Sequence, residues 1–180
     1  MLRPMGNALD HSLYTARLRI EPVTPALAQA ARAGQAAFAD VLGADAPAEW
    51  CASSLQLLAR SIPEAWGKAA PTRAVAIHRA EGAVIGDLRF EPSLRAAREF
   101  EIGYSVARSR RRQGYAVEAA GALIDWLFED GGAETVIAGC DSRNVASVRT
   151  LRRLGFWLDS NPAHTFWWVL TPELRTSSQA

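Results

Sequence analysis

EFEIGYSVARSRRRQGYAVEAAGALIDW, residues 99–126, is the stretch from which the fold of this chain can be read. Its first part, to Ala107, is apolar-rich and reads as a strand. A turn follows that carries Arg108, Arg110, Arg111 and Arg112 and closes on Gly114. The last part reads as an amphipathic helix, with Ala116, Ala119, Ala120, Leu123, Ile124 and Leu127 at three- and four-residue spacing. A strand that enters a helix through a glycine-containing turn leaves N–H groups without intrahelical partners. The helix dipole adds partial positive charge at the same place, which suits a phosphate. Gly114 and Ala116 let a ligand come close to the backbone, and the guanidinium groups add fork-shaped donors. These features together predict a pyrophosphate-binding turn.

The segment Arg111-Arg112-Gln113-Gly114-Tyr115-Ala116 resembles the acyl-CoA pyrophosphate loop of the GCN5-related N-acetyltransferases (GNAT), in which Gln or Arg, Gly, and Gly or Ala recur at this spacing. With DSRNVASVRTLRRLGF (residues 141–156) after it, the text is similar to the branch that acetylates ribosomal-protein N-termini, the RimJ/RimL-like branch. The close resemblance covers residues 83–157, and a looser one reaches back to Leu13. It implies an α+β fold, a mixed, mostly antiparallel sheet of about seven strands flanked by about four helices and splayed between its fourth and fifth strands. It also implies an enzyme that uses acetyl-CoA and transfers acetyl to an amine.

Composition sets the outer bounds. A chain of 180 residues with 49% hydrophobic and 22% charged residues is one soluble domain's worth of sequence. A formal net charge of +1 provides no bulk field for nucleic acid, so any positive site must be local. Two cysteines, Cys51 and Cys140, make neither a disulfide framework nor a metal motif. His11, His78 and His164 share no ligand spacing, and no metal is expected. The N-terminus lacks the apolar run of a signal peptide and no stretch reads as a membrane span, so a cytoplasmic monomer or homodimer without membrane or nucleic-acid partners is expected.

Along the chain, residues 1–12 read as a loose extension, 13–172 as a single domain and 173–180 as a frayed tail. Leu13 to Val23 alternates as one strand, and Thr24-Pro25 caps a helix from Ala26 to Ala39. Gly43 to Pro47 reads as a loop, and Ala48 to Ile62 as a second helix. The resemblance makes this helical region a wall of the acceptor groove, with Trp50 and Trp66 as candidate lining residues. Core packing is the alternative for both. Thr72 to Arg79 and Ala83 to Phe90 read as a hairpin about Glu81-Gly82. After Gly132 come a strand from Glu134 to Cys140, a helix from Asn144 closed by Gly155, and a last hairpin over 156–158 and 164–170.

The backbone amides of Gln113, Gly114, Tyr115 and Ala116, together with Arg111, are expected to hold the cofactor's pyrophosphate. Arg112 is counted with them, and with Arg108 and Arg110 it reads as a solvated positive rim, one member of which would meet the ribose phosphate. The resemblance implies that the pantetheine arm pairs with the backbone of Ser105, Val106 and Ala107 like an added strand, one amide polarising the thioester carbonyl. It implies that Asn144 hydrogen-bonds a pantetheine amide, while the residue's position also suits an N-cap, with Asp141 or Ser142 as other caps. The position seven residues after the asparagine, where many relatives carry a tyrosine acid, is Leu151. Three residues after it stands Ser147, which the resemblance makes the group that orients or hydrogen-bonds the leaving sulfur.

For the base, a lysine amine near about 10.4 is far less often neutral at pH 7 than an α-amine near about 8, so an N-terminal acceptor needs only a proton sink. Glu101 is the leading carboxylate, with Glu99, counted in the substrate groove, and Asp87 behind it. Alternation puts Glu99 and Glu101 on one side of their strand, where either could also be a plain solvated carboxylate. Two readings compete with the enzyme: an acyl-CoA-binding sensor without turnover, and a nucleic-acid module that uses the arginine-rich turn.

Overall fold

The computed structural model describes residues 9–59 and 72–177. Among these, eight strands are hydrogen-bonded in the order β1-β2-β3-β4-β5-β6-β8-β7. The described chain divides into two compact units, one of residues 9–59, 72–89 and 104–119, the other of 90–103 and 120–177.

The first unit opens with a hairpin, β1 (Leu13–Tyr14) against β2 (Leu18–Pro22), where the sequence predicted a single strand. The chain turns because Thr15 serves its own backbone: its Oγ1 accepts the Leu18 N–H at 2.9 Å while its N–H donates to Leu18 O at 2.9 Å. β2 pairs antiparallel with β3 (Arg73–His78), and β3 with β4 (Ala83–Pro92). The Thr24 hydroxyl caps α1 (Pro25–Ala33) by accepting the Leu27 N–H at 3.2 Å. The helix predicted to run on to Ala39 breaks at Gly34, whose φ of 120° only glycine adopts cheaply, and resumes as α2 (Gln35–Leu42). α3 (Ala48–Ala59) follows; its expected extension to Ile62, and Trp66, lie outside the described residues.

The core of this unit joins α1 and α2 (Leu27, Phe38), α3 (Trp50, Leu58) and the strands (Val75, Ile77, Val84). Phe38 and Trp50 pack ring to ring with centroids 5.6 Å apart. Burying side chains of this size contributes roughly 1.5–3 kcal/mol each. Leu9 is fully buried, so the segment read as a loose extension carries at least one apolar anchor.

β5 (Glu99–Val106) begins in the second unit, where it pairs in parallel with β6 (Thr135–Asp141) over Glu99↔Thr135 to Glu101↔Ile137. A parallel pair needs a long crossover, and α4 (Tyr115–Glu129) supplies it. β8 (Thr165–Leu170) runs antiparallel between β6 and the exposed β7 (Trp157–Ser160). α5 (Val145–Arg153) buries Leu151. The sequence predicted a frayed end after residue 172, but α6 (Pro172–Ser177) forms there. So short a helix is not stable alone. Arg175 pins it with a fork to Asp125 at 2.8 and 3.1 Å and a third bond to Leu154 O. No helix among the described residues is long and apolar enough to cross a membrane.

Candidate cofactor and acceptor site

Between β5 and α4 the chain makes one 3-10 turn over Arg108–Arg110 and then passes through two left-handed positions, Arg112 (φ 62°) and Gly114 (φ 84°). Glycine takes such a φ without cost, whereas at Arg112 it is uncommon enough to mark a constrained loop. Gly114 O accepts the Glu118 N–H at 3.1 Å, which makes Gly114 the residue that opens α4. It has no side chain with which to cap the helix. The N–H groups of Tyr115, Ala116 and Val117 therefore have no intrahelical acceptor, and the dipole's positive end coincides with them.

Three carboxylates hold this turn in place. Glu118 Oε1 accepts from Thr15 Oγ1 at 2.6 Å and from Arg17 N–H at 2.9 Å, and its Oε2 accepts from Arg17 Nε at 2.7 Å. Burial pushes the Glu118 carboxyl up, but the Thr15 and Arg17 hydrogen bonds and the Arg17 charge outweigh it and hold the group below its ordinary value. Arg17 also donates to Gln113 O at 3.1 Å and lies 4.4 Å above the Tyr115 ring. Glu81 takes Arg110 in a two-pronged pair, and that hydrogen bond holds the Glu81 carboxyl down. Glu49 of α3 accepts from the Ser109 hydroxyl and, at 3.4 Å, from its N–H. The expected rim of free arginines is thus reduced: Arg110 is committed to Glu81, while Arg108, Arg111 and Arg112 are exposed. Arg111 is braced through Nε to Val106 O at 3.0 Å. Open amides, a left-handed glycine with Arg17 beside it and exposed guanidinium groups fit a nucleotide pyrophosphate.

The edge of β5 departs from expectation in one respect. Ala107 N–H donates to Ile85 O at 2.8 Å, so it is engaged with β4 and is not offered to a ligand. By strand alternation Ser105 faces β4 in the same way, and Val106 points its amide to the opposite side. Of the three residues expected to pair with a pantetheine arm, Val106 has the required direction.

β4 and β5 approach closely at Gly86, where a Cβ would stand 2.2 Å from Ser105 O. Beside it, Asp87 is buried, and its Oδ2 accepts from Trp50 Nε1 at 3.0 Å, Ser54 Oγ at 2.6 Å and Ser105 Oγ at 2.7 Å. Trp50, expected as a groove residue, is instead core: it is 1% exposed, packed on Phe38 and tied to Asp87. The amphipathic pattern of its helix allowed both readings, and the buried carboxylate decides between them.

The other candidates lie in the second unit. Glu101 is half-buried on β5. Glu99 is 8% exposed, its Oε1 has no hydrogen-bond partner among the described residues, and Arg95 Nε lies 4.0 Å from it. It is therefore not the solvated strand carboxylate that alternation allowed. Asn144 is the N-cap of α5: its Oδ1 accepts the Ser147 N–H at 3.1 Å, and neither Asp141 nor Ser142 fills that role. Asp141 instead binds Arg143, whose side-chain and backbone hydrogen bonds pull its carboxyl down to about 2. Leu151, where a tyrosine acid was looked for, is 1% exposed and packed in the core.

Sequence reasoning missed Arg17, Glu49 and Glu81 as supports of the turn. Their partners lie 29 to 101 residues away, and no local spacing announces such pairs.

A family model described as an acetyltransferase (GNAT) domain matches residues 17–157. An uncharacterized N-acetyltransferase of Bacillus subtilis, YjdG, is 39% identical over 69 residues, which is 38% of this chain and 41% of that protein. This chain therefore matches less than half the length of that relative. Among solved structures, a GNAT-family acetyltransferase from Bacillus anthracis superposes with a TM-score of 0.65 at 17% identity, covering 91% of this chain and 99% of that one. RimL, a ribosomal L7/L12 α-N-protein acetyltransferase in complex with coenzyme A, superposes at 0.62 with 16% identity, covering 89% and 98%. At these identities the structures speak to the fold.

Proposed function

The chain belongs to the acetyltransferase (GNAT) domain family, and from that premise we propose that it is an acetyl-CoA-dependent N-acetyltransferase acting on a protein N-terminal α-amine or a small amine. The observation that carries this reading is the turn before α4, with its left-handed Gly114 and uncapped amides. Acetyl-CoA, when bound, would supply an acetyl group activated as a thioester, for direct transfer to a neutral amine with release of the free thiol.

The chain's own residues take these roles. The amides of Gly114, Tyr115 and Ala116 and the exposed Arg111 and Arg112 bind the pyrophosphate, with Gln113 held against them by Arg17. Val106 offers its amide to the pantetheine arm. Asn144, whose Oδ1 is spent on capping, has its Nδ2 donor for a pantetheine carbonyl. Ser147 donates a hydrogen bond at the sulfur; a hydroxyl is too weak an acid to protonate a thiolate outright. Glu101 is the carboxylate that takes the amine's proton, directly or through water.

Likeness to the ribosomal N-terminal branch in the text of residues 83–157 favours a peptide α-amine as acceptor. Calorimetric titration with acetyl-CoA tests the cofactor, and free-thiol release across a panel of N-terminal peptides and small amines tests the reaction. No binding of acetyl-CoA would sink the assignment. One observation favours a second reading, acyl-CoA binding without turnover: the tyrosine-acid position is the buried Leu151. Binding without thiol release from any amine selects it. A formal net charge of +1 offers little general attraction for a polyanion such as RNA as the partner.

A further inference from the structure

Asp87 is a nine-tenths buried carboxylate whose hydrogen-bond donors are all uncharged. Three of them, Trp50 Nε1, Ser54 Oγ and Ser105 Oγ, converge on the single oxygen Oδ2, which saturates it and fixes the plane of the group. Oδ1 takes none of these bonds. Among the described residues the buried side-chain atoms without a partner are His78 Nδ1, Glu99 Oε1 and Trp168 Nε1. Asp87 keeps 8% of its surface exposed, and Ser105 beside it is exposed.

No arginine, lysine or histidine among the described residues pairs with this carboxylate. Burying an unpaired charge costs several kcal/mol. If the cluster only tied α3 to β4, an asparagine would accept the same three bonds without that cost. The three neutral donors offset that cost only in part, and no cation among the described residues completes it. A cation that arrives from outside, with N–H donors to give to Oδ1, does so. Ser105 belongs to the stretch of β5 expected to lie along the pantetheine arm, and its hydroxyl is one hydrogen bond from the carboxylate.

We infer that Asp87 is the anchor for the acceptor's primary ammonium, received on Oδ1, with Trp50, Ser54 and Ser105 as the residues that position it. This deepens the acetyltransferase reading and rests on it. An α-amine near about 8 is mostly protonated at pH 7. A carboxylate so held recruits that form, and it selects unhindered primary amines over quaternary ones.

The test follows the indole N–H resonance of Trp50 in ¹⁵N-labelled protein, assigned by its loss in Trp50→Phe or, should that variant not fold, by its selective shift in Ser54→Ala. Methylammonium chloride is titrated against it, with tetramethylammonium chloride at equal concentration as the charge-only control. The expected result is a saturable shift with methylammonium, none with tetramethylammonium, and a shift lost in Asp87→Asn. A wild-type resonance that stays still, or moves equally with both salts, overturns the anchor without recourse to any variant. With the best acceptor from the panel, Asp87→Asn should raise the acceptor KM at least tenfold while the acetyl-CoA Kd stays within twofold. If acetyl-CoA binds and turns over but the acceptor KM is unchanged, the anchor is wrong and the acetyltransferase reading stands. If acetyl-CoA does not bind, both fall.

Discussion

At the start of α4 the residue that opens the helix is Gly114, and at the start of α5 it is Asn144. The two helix starts are built in opposite ways. Asn144 turns its Oδ1 onto the Ser147 N–H at 3.1 Å and donates its own N–H to Asp141 O at 2.8 Å, so the α5 terminus satisfies itself. Gly114 has nothing to turn inward, and the α4 terminus keeps its amides for something else. The surroundings follow suit. The α4 turn is braced by Glu49, Glu81 and the Arg17–Glu118 pair, whereas the side-chain ion pair at the α5 turn, Asp141–Arg143, is local, with the Ser142 N–H donating to His164 O at 2.9 Å. A helix terminus becomes an anion site when the chain withholds the cap and spends long-range contacts on holding the open loop still.

The largest effect expected from breaking this contrast is at Gly114. Gly114→Glu places a carboxylate on the amides and a Cβ at a φ of 84°. Acetyl-CoA affinity should fall at least about a hundredfold by calorimetry, while the strain costs only about 1–2 kcal/mol of stability. Undiminished affinity would remove the α4 terminus from the cofactor site.

The α5 terminus can be dissected rather than broken. Asn144→Asp keeps a capping oxygen and deletes the Nδ2 donor, so melting should change little while acetyl-CoA affinity drops by about tenfold, as for one lost hydrogen bond in a site. Asn144→Ala should lose the cap as well, roughly 1 kcal/mol. If the Asp variant binds like wild type, Asn144 is a cap and nothing more. Next in size, Ser147→Ala should lower kcat several-fold with acetyl-CoA Kd nearly constant. Equal losses in both would make the serine a binding residue.

The smallest effect concerns the brace. Glu118 has a folded-state pKa below its ordinary 4.5, so it adds stability above that value and loses it as pH falls through the lowered one. Glu118→Gln should therefore lower the melting temperature by a few degrees at pH 7, about 1 kcal/mol, and the gap to wild type should close as pH falls through the lowered Glu118 pKa. A gap independent of pH would mean that packing, not charge, carries the contact.

Much of the α4 turn was legible in the text because its parts are neighbours. Arg111, Gly114 and Ala116 lie within six residues, so their spacing is read without any knowledge of the fold. The same holds for Thr24 and Asn144 as caps. What misled was equally local. Gly34 sat inside a run of alanines whose spacing continued across it, so one helix was read where a φ of 120° makes two. Thr15 was read as one more position in an alternating strand, but its hydroxyl folds the strand back on itself. The tail after residue 172 looked polar because the residue that holds it, Arg175, finds Asp125 only in three dimensions.

What the text alone determined was most of the order of strands and helices, short of the β1–β2 hairpin, the α1–α2 break and α6, together with the turn before α4 and the family, since these depend on spacing and on residue type within a few positions. Tertiary structure decided which charges are spent and which are available. Arg110 is used by Glu81, Arg17 by Glu118, the Ala107 amide by Ile85, and Trp50 by Asp87. The physical reason is that a charge or a hydrogen-bond donor acts on whatever lies within a few ångströms of it, and the partners named here are brought that close only when segments distant in sequence pack together.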